Sequence, residues 1–539
     1  MGVAMNTFEP ASPEAQEAFE AIQVNDDLPK KGSMARELVE FVTSKAEVFH
    51  SPDNQAFVSF NAGNHDETWR IDSPGFREWL TASFFKDLGK IPSDAALKDA
   101  IRALSGKAKY EGKEIPVAIR CAMVSDGYLI DLCDSKWQAI HVTVNGWRIE
   151  KNPDVRFWRN SNMRPLPMPV SGEIDPLWQF VNVEDTDRHL LLAWMIECFR
   201  PDTPYPALEL TGGQGSAKST TQDNIRNLID PNAVNLRARP KHVEDLFVGS
   251  INNYLASFEN VSFLTAEMQD ALCVLATGGG YAGRTLYTNS EETAITIKRP
   301  IIINGISANA TAQDFVDRLI HLDLPTITIR KTSSELAQGF ETAKPLIFGG
   351  ILDLFVKSLS ILPTVHIDKK PRMADFAMMG EAVYQAIGRK PGEFMREYEA
   401  MREQSIHRTL DNSPVALAIQ SYLDSNPTGF DGTVKAAHET VSRHRTDSEE
   451  RWPRTPKAFA DGARRAATAL RVIGIAVDVG GKTREGTSMS IRKVSNHVHN
   501  VHEVHTQDEA EQESVNMVNM VNEKTSFHGA VAAKRRISV

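Results

Sequence analysis

The chain has 539 residues, more than one hydrophobic core usually holds, so we expect three or four folded units. Its composition, 41% hydrophobic and 24% charged, is that of a soluble globular protein, and the net charge of −10 argues against a surface covered in positive charge. The four cysteines are scattered and lack CxxC spacing, which argues against a zinc ribbon and a disulfide framework. The sequence has no apolar run of about 20 residues, which argues against a membrane span, and it has no signal-peptide pattern. Together these features predict a cytoplasmic protein.

The first third of the chain contains two segments. Residues 1–32 are acidic and turn-prone, and we expect a flexible N-terminus there. Residues 33–172 combine helical spacing, as in "SMARELVEFVTSKA", with strand-like alternation, as in "GYLIDL" and "QAIHVTV", which predicts a mixed α/β N-terminal domain. Three prolines in "MRPLPMPVSG" predict an extended connector and a domain boundary at its end.

The remainder of the chain contains four segments. Residues 173–335 alternate helices with strands such as "ALEL", "NYLASF" and "PIIIN", which predicts an α/β unit whose parallel sheet is covered on both faces. A helical segment follows at 336–411, and a small domain at 412–494. Residues 495–539 contain near-repeats such as "HVHNVHEVH" with too few apolar residues for a core, which predicts a disordered tail.

A glycine-rich stretch, "LELTGGQGSAKST", includes the end of the strand "ALEL". A phosphate-binding loop (P-loop) requires a buried strand, a glycine-rich turn whose N–H groups face phosphate, a lysine, and a hydroxyl for Mg²⁺ at the start of a helix. Here Lys218 would contact the phosphates of ATP, and Ser219 would bind Mg²⁺. The expected nucleotide-binding residues are Gly212, Gly213, Gln214, Gly215, Ser216, Ala217, Lys218, Ser219 and Thr220.

Ala217 stands where the usual loop pattern has its last glycine. If the backbone at this position is already helical, the methyl group is harmless. If the position needs a positive φ, alanine costs about 1 kcal/mol, which weakens nucleotide binding without abolishing it. A glycine-rich strand–helix turn that binds no nucleotide is the alternative interpretation of the loop taken alone.

Three polar residues downstream supply the other parts of an ATPase. Glu259 ends the strand of "NNYLASFENVS", about 40 residues after the lysine, where an acid would hold Mg²⁺ or polarise water. Asn304 ends the strand of "RPIIINGIS", and its amide could orient the attacking water. Arg318 could act as a finger on a neighbouring subunit's nucleotide. Their order and spacing favour an ATPase with Lys218, Glu259, Asn304 and Arg318 as catalytic residues and with Ser219 and Glu259 as metal ligands.

Together with "LATGGGYAGRTLY", this order of motifs resembles superfamily-3 helicases, in particular the C-terminal ATPase of phage and plasmid primase–helicases and the poxvirus type. The glycine-rich element that this family has between its second and third motifs is matched by Gly278, Gly279, Arg284, Leu286 and Tyr287. The resemblance covers about 175–330 strongly. It implies an AAA+ P-loop fold, a homo-oligomeric ring, usually a hexamer, closed around DNA, and 3′-to-5′ translocation.

Two positions depart from the family pattern. Gly280 stands where the family often has aspartate, and Asn260 follows Glu259 where many members have a second acid. One carboxylate must then serve both metal and water, or hydrolysis is slow. We expect these departures to affect the rate of ATP hydrolysis more than the affinity for nucleotide.

The segment "AGRTLYTNSEETAITIKRP" predicts a β-hairpin, which in this superfamily projects into the ring channel and contacts DNA. Its tip is acidic, with Glu291 and Glu292, and is an unfavourable surface for phosphate. The better DNA-binding candidates are Arg284, Lys298 and Arg299, on the arms of the hairpin. A solvated hairpin packed against the next subunit is the alternative interpretation.

Residues 452–494 carry nine basic and three acidic side chains. Thr455 as N-cap and Pro456 in the first turn predict a helix, and two strands joined by a basic loop follow it. With the preceding helices, this order predicts a winged-helix domain, whose helix would enter the major groove of DNA. A winged helix used only for packing between proteins is the alternative. The DNA-binding candidates are Lys457, Arg464, Arg465, Arg471, Lys482 and Arg484.

Two further groups of residues are weak candidates. The histidines of "HVHNVHEVH" have no scaffold that would fix a metal geometry. Asp131 and Asp134 lack the clustered carboxylates of a primase centre, so we interpret them as surface loop acids. A separate primase or replication-initiation protein could therefore act as a partner.

The whole sequence favours an ATP-dependent DNA helicase or translocase of a phage or mobile-element replication system, acting as a homo-oligomeric ring on single-stranded or forked DNA. Two alternatives stay open. An ATP-gated loader or remodeller would bind DNA without unwinding it, which the acidic hairpin tip favours. A catalytically degenerate DNA-binding regulator is favoured by Ala217 and Asn260.

Overall fold

The computed structural model describes residues 33–284, 292–306, 310–328, 330–411, 413–445, 452–483 and 486–494. The chain divides into two compact units, residues 1–412 and residues 413–539. The predictions of a flexible N-terminus at 1–32 and a disordered tail at 495–539 lie outside the described residues.

The first helices and strands form a three-stranded antiparallel sheet packed against three helices. A serine hydroxyl caps the start of each helix by accepting a backbone N–H three residues further on. Leu38, Val58 and Phe76 are fully buried in the core between them. The elements are α1 (Met34–Lys45), β1 (Ala46–His50), β2 (Ala56–Asn61), β3 (Asp66–Arg70), α2 (Pro74–Leu88) and α3 (Asp94–Tyr110).

A four-stranded antiparallel meander follows, in the order β5-β6-β7-β8, beside a short parallel pair, β4 with β9. Predicted strands at "GYLIDL" and "QAIHVTV" are confirmed as β6 and β7, and β7 is buried along its whole length. The elements are β4 (Val117–Ala118), β5 (Cys121–Val124), β6 (Gly127–Asp131), β7 (Ala139–Thr143), β8 (Gly146–Glu150) and β9 (Arg156–Phe157).

The central sheet has five strands in the order β11-β12-β15-β10-β16, and every described pairing in it is parallel. This confirms the predicted α/β class. The helices are α4 (Arg188–Glu197), α5 (Lys218–Ile229), α6 (Val243–Ile251), α7 (Ala266–Thr277) and the single turn α8 (Gln313–Val316). The strands are β10 (Ala207–Thr211), β11 (Arg237–Ala238), β12 (Ala256–Glu259), β13 (Gly280–Arg284), β14 (Glu292–Thr296), β15 (Ile301–Asn304) and β16 (Leu319–Asp323), with β13 and β14 forming a separate antiparallel pair.

β10 lies between β15 and β16 within the sheet and is buried at all five positions. In parallel sheets, ligands bind beyond the carboxyl ends of the strands. The glycine-rich stretch leaves β10 at that edge.

Three long helices complete the first unit: α9 (Ser333–Ile361), α10 (Ala374–Ala386) and α11 (Glu393–Asp411). The proline-rich connector, predicted as a domain boundary, packs against α9. A Cβ on Gly349 would overlap the Val170 carbonyl, and a Cβ on Gly172 would overlap the Leu346 carbonyl. Val170 N–H also donates to the carbonyl of Pro345, 3.2 Å away. The connector is therefore part of the core of this unit.

One helical segment among the described residues, Ser333–Thr364, is long and apolar enough to cross a membrane by length and composition, and 56% of its most apolar window is buried inside the protein. This differs from the prediction that the chain has no apolar run of about 20 residues. Core helices pass the same test, and Phe348, Ile351 and Phe355 of this helix are fully buried.

The described residues of the second unit form three α-helices and a three-stranded antiparallel sheet in the order β17-β19-β18. The predicted start of its basic helix is confirmed, because the Thr455 hydroxyl accepts the Ala458 N–H at 3.2 Å. Its apolar residues Phe459, Ala463, Ala466 and Leu470 are buried. The elements are α12 (Pro414–Ser425), β17 (Phe430–Thr433), α13 (Val434–Val441), α14 (Pro456–Val472), β18 (Ile475–Thr483) and β19 (Gly486–Lys493).

Candidate nucleotide site and basic surfaces

The glycine loop, Gly212–Ala217, connects β10 to α5 at the carboxyl edge of the parallel sheet. Gly212 has φ 147 and Gly215 has φ 86, values that favour glycine. Ala217 has φ 55 and ψ 32, which is the left-handed region. Of the two alternatives for Ala217, the structure therefore has the strained one, at a cost of about 1 kcal/mol.

The loop presents backbone N–H groups to solvent. Among hydrogen bonds between described residues, none uses the N–H of Gly213, Gln214, Gly215 or Ala217. Residues 213–215 are exposed, and α5 begins directly after the loop. Free N–H groups at a helix N-terminus, reinforced by the helix dipole, are suited to bind an anion such as phosphate.

Lys218 is folded back over the loop. Its ammonium donates to the carbonyls of Gly212 at 2.7 Å and Gly213 at 2.9 Å, and lies 3.4 Å from the Ser216 hydroxyl. Partial burial lowers the pKa of Lys218, and the carboxylate of Asp323 opposes this effect. A phosphate group would be a stronger, charge-assisted partner than these carbonyls.

Ser219 and Glu259 are brought together across the edge of the sheet. The Ser219 hydroxyl donates to a Glu259 carboxylate oxygen at 3.2 Å, although the residues are 40 positions apart. Hydroxyl and carboxylate oxygens are ligands that Mg²⁺ accepts when it is also bound to phosphate. The donor set predicted from the sequence therefore fits Mg²⁺.

Asn304 is fully buried between the strands that carry this pair. Its side-chain oxygen accepts the Asn260 N–H at 2.9 Å, and its amide nitrogen donates to the Gln222 side chain at 2.6 Å. Asn260 has φ 51, a left-handed conformation that asparagine tolerates. The Asn304 amide therefore fixes the turn after Glu259, and its role in orienting the attacking water stays a prediction.

A chain of polar side chains runs from the sheet interior towards the glycine loop. The buried His321 imidazole lies 2.8 Å from a Glu209 carboxylate oxygen and 3.0 Å from the Thr211 hydroxyl. Thr211 in turn donates to Asp323 at 3.0 Å. Because Asp323 acts electrostatically on Lys218, this chain connects the centre of the sheet to the lysine.

Arg318 lies at the opposite edge of the sheet. Its carbonyl accepts the N–H of Ala207, the first residue of β10, whereas the glycine loop follows the last residue of that strand. Its guanidinium forms an ion pair with Asp314 and also donates to the Asp314 carbonyl at 2.8 Å. The structure therefore does not bring Arg318 to the glycine loop of its own chain.

The bases predicted on the hairpin arms are only partly available. Arg299 donates to the carbonyls of Ser250 at 3.0 Å and Asn253 at 2.9 Å, and burial lowers its pKa. Lys298 is half-buried, with its ammonium 5.9 Å from the ring centre of Tyr205. Arg299 thus packs against backbone carbonyls, and its contact with DNA stays a prediction. The Arg284 side chain lies outside the described residues.

The basic helix α14 presents its predicted cations to solvent. Lys457, Arg464, Arg465 and Arg471 are all exposed. Arg464 pairs with Asp461 at 2.9 Å, and Arg471 lies 3.8 Å from Asp478. Among the described residues, Lys457 and Arg465 have no ion-pair partner. The Lys482 side chain and all of Arg484 lie outside the described residues.

Asp131, interpreted from sequence as a surface acid, is buried. Its carboxylate forms a two-nitrogen ion pair with Arg159, one bond of which measures 3.0 Å. Nearby, Arg120 is fully buried and donates to Asp230 at 3.0 Å and to the Asp131 carbonyl at 3.0 Å. Asp230 ends α5, so this network joins the N-terminal strands to the helix that follows the glycine loop.

Sequence reasoning missed Asn182, which lies in an irregular segment without any motif. Its side-chain amide donates to the carbonyls of Ser216 at 2.9 Å and Pro325 at 2.7 Å, and its backbone N–H donates to the Thr221 hydroxyl at 3.1 Å. Asn182 therefore holds the glycine loop, α5 and the segment after β16 together. A single polar residue outside a strand–loop–helix pattern gives no signal in the sequence.

The first unit is thus an α/β protein whose parallel sheet carries a glycine loop, a lysine and a hydroxyl–carboxylate pair at one edge. The family model of the actinomycete integrative conjugative element replication protein matches residues 174–398, and that of the C-terminal domain of the same protein, AICE RepA, matches residues 415–507. Together they cover more than half of the chain. The chain belongs to this family and is a replication protein of a mobile element.

Two solved structures are similar over most of the chain. The active helicase Cch of SCCmec type IV is 13% identical, with 84% of this chain and 94% of that chain covered and a TM-score of 0.42. The NrS-1 C-terminal region is 12% identical, with 85% and 98% covered and a TM-score of 0.36. No curated protein matches the chain.

Proposed function

We propose that this replication protein is an ATP-dependent DNA helicase or translocase that acts as a homo-oligomeric ring in the cytoplasm. The observation that carries the proposal is the meeting of Ser219 and Glu259 beside a loop with free N–H groups. These groups come from two separate strand ends, and their convergence at one edge is the arrangement that Mg²⁺-dependent phosphoryl transfer requires.

Each residue has a distinct part in this proposal. The loop N–H groups and Lys218 bind and orient the phosphates of ATP. Ser219 and Glu259 hold Mg²⁺, which would neutralise phosphate charge as the terminal bond breaks. Asn304 holds the turn after Glu259 and so fixes the direction of its carboxylate. Arg318, remote from its own loop, would act on the nucleotide of the neighbouring subunit.

The second unit supplies the DNA contact in this proposal. Its helices and three-stranded antiparallel sheet have the element order of a winged helix, and the free cations of α14 lie on the helix that would enter the major groove. A separate primase or initiation protein would provide priming.

An ATP-gated loader that binds DNA without unwinding is the second candidate. The specific observation in its favour is that Arg299 is engaged by backbone carbonyls and Lys298 is half-buried. The described part of the hairpin arms therefore offers little positive charge to a DNA strand inside a channel.

The deciding experiment measures ATP hydrolysis by the full chain, with and without single-stranded DNA, beside Lys218→Ala, and strand separation on a forked duplex. We expect DNA-stimulated hydrolysis that the variant loses, together with separation. Stimulated hydrolysis without separation would favour the loader, and nucleotide binding without turnover would favour a degenerate regulator. Equal nucleotide binding and hydrolysis by wild type and variant would overturn the ATPase proposal.

A further inference from the structure

The segment that follows β16 is attached to the glycine loop. Ile327 N–H donates to the Gly215 carbonyl at 3.3 Å. The Asn182 amide joins the Ser216 carbonyl to the Pro325 carbonyl through bonds of 2.9 and 2.7 Å. Two independent hydrogen-bonded connections therefore hold Pro325 and Ile327 beside the loop.

Arg330 reaches the loop from this segment. A Cβ built on Gly215 would lie 2.6 Å from a terminal guanidinium nitrogen of Arg330. Any side chain at position 215 would therefore displace the arginine. Gly215 is favoured for its φ of 86, and its lack of a side chain leaves room for the Arg330 guanidinium.

The Arg330 guanidinium has no partner of opposite charge among the described residues. The residue is exposed, and within the described part of the chain it forms no hydrogen bond or ion pair. Its guanidinium approaches the loop at Gly215. The same loop carries the Lys218 ammonium and free N–H groups and leads into the N-terminus of α5, all of which have positive or partially positive charge. Such a convergence favours a multiply charged anion, and a guanidinium binds phosphate oxygens in pairs.

We propose that Arg330 binds the phosphates of the nucleotide held by the glycine loop of its own chain. This inference rests on the proposed function, because it assigns a further contact to the same nucleotide. It also gives bound nucleotide a direct contact with the segment that leads into α9, which begins at Ser333. Arg330 would then contact the nucleotide of its own subunit, whereas Arg318 would contact the nucleotide of a neighbouring subunit.

The test compares the affinities of wild type, Arg330→Ala, Arg330→Lys and Lys331→Ala for Mg-ADP and a non-hydrolysable ATP analogue by calorimetry. Lys331 is the adjacent exposed cation and serves as the matched control. Loss of one charge-assisted contact should weaken binding on the order of 10- to 100-fold in Arg330→Ala. Lys331→Ala should stay within about twofold of wild type, and Arg330→Lys should lie between the two.

Thermal unfolding without nucleotide separates binding from folding. We expect Arg330→Ala to keep the wild-type Tm when nucleotide is absent and to lose most of the nucleotide-induced rise. If Arg330→Ala binds as wild type does while Lys218→Ala does not, the Arg330 inference falls and the ATPase proposal stands. If wild type binds neither nucleotide, both fall together.

Mixing variants tests whether Arg330 acts within its own chain. Arg330→Ala subunits mixed with Lys218→Ala subunits should not regain wild-type affinity for Mg-ADP, because no subunit then carries both residues. Binding sites of wild-type affinity in the mixture would overturn the assignment to the same chain, since they would require Arg330 of one subunit to contact the nucleotide on the loop of another.

Discussion

Ala217 holds a left-handed backbone conformation directly before α5. Glycine adopts this conformation without strain, alanine at a cost of about 1 kcal/mol, and a β-branched residue at a higher cost. We expect Ala217→Gly to bind Mg-ADP at least as tightly as wild type, and Ala217→Val to bind about tenfold more weakly.

Calorimetric titration measures both affinities, with Ala458→Val at an exposed helical position as the control. Equal affinities of Ala217→Val and Ala217→Gly for Mg-ADP would contradict a left-handed backbone conformation at this position.

The buried amide of Asn304 leads to a prediction about stability. Asn304→Ala removes the partners of the Asn260 N–H and of the Gln222 side-chain oxygen. A buried polar group that loses its partner costs about 1–3 kcal/mol, so we expect the free energy of unfolding to fall by about 2–4 kcal/mol. Urea denaturation measures this change. A fully stable but inactive variant would instead support the water-orienting role that the sequence suggested.

The sequence predicted the residues of the site that follow a strand. Lys218, Ser219 and Glu259 could be found because parallel strands bring their carboxyl ends to one edge, so spacing along the chain predicts proximity. Asn182 and Arg330 could not be found in this way. They reach the loop through hydrogen bonds of irregular segments, which have no periodicity to detect.

At the scale of elements, the buried pair of Arg120 and Asp230 fixes the N-terminal strands to the end of α5. Removing one partner of a fully buried pair costs about 3–5 kcal/mol, because the other charge stays in a site without water. We expect Asp230→Asn to lower the free energy of unfolding by this amount, measured by denaturant titration. Asp461→Asn, which removes an exposed pair with Arg464, should cost no more than about 1 kcal/mol.

The double variant Arg120→Met/Asp230→Asn should recover part of the loss, because it removes both charges. A double variant less stable than the sum of its single changes would contradict this account.

Sequence patterns within a few residues predicted the helices and strands better than they predicted how these pack against each other. The N-cap and apolar spacing of α14 were sufficient to place that helix, since both act within a few residues. The proline-rich connector was expected to separate two domains, and its extended conformation alone supports that view. Its contacts with Gly349 and Pro345 depend on a helix almost 180 residues away, which no local pattern reports.

The exposed cations of α14 give a prediction about DNA binding. Lys457 and Arg465 have no ion-pair partner among the described residues, so they can neutralise DNA phosphates. We expect Lys457→Ala/Arg465→Ala to weaken duplex binding about tenfold or more and to reduce the salt dependence by nearly two ion equivalents, measured by fluorescence anisotropy across salt concentrations. Lys435→Ala, an exposed lysine on α13, should leave both quantities unchanged. An unchanged salt dependence in the double variant would assign α14 to packing between proteins.

At the scale of the whole molecule, the position of Arg318 predicts cooperation between subunits. It lies at the sheet edge away from its own loop, so its effect on hydrolysis must come from a neighbour. We expect Arg318→Ala and Lys218→Ala each to lose hydrolysis by at least 100-fold, and their mixture to regain a measurable part of it.

Recovery is expected because some interfaces then join an intact loop to an intact arginine. A mixture as inactive as its components, at concentrations where light scattering detects oligomers, would contradict the role of Arg318 in a ring.

The buried link between Arg120 and Asp230 also constrains how such genes can be rebuilt by recombination. A crossover within the proline-rich connector would join the N-terminal strands of one parent to the parallel-sheet core of another, and an unpaired charge could then be buried inside the product. Viable chimaeras are therefore expected to inherit residues 33–411 from one parent or to carry both members of the pair. Mobile elements that exchange segments freely would diversify this protein more readily beyond residue 412, where the second compact unit begins.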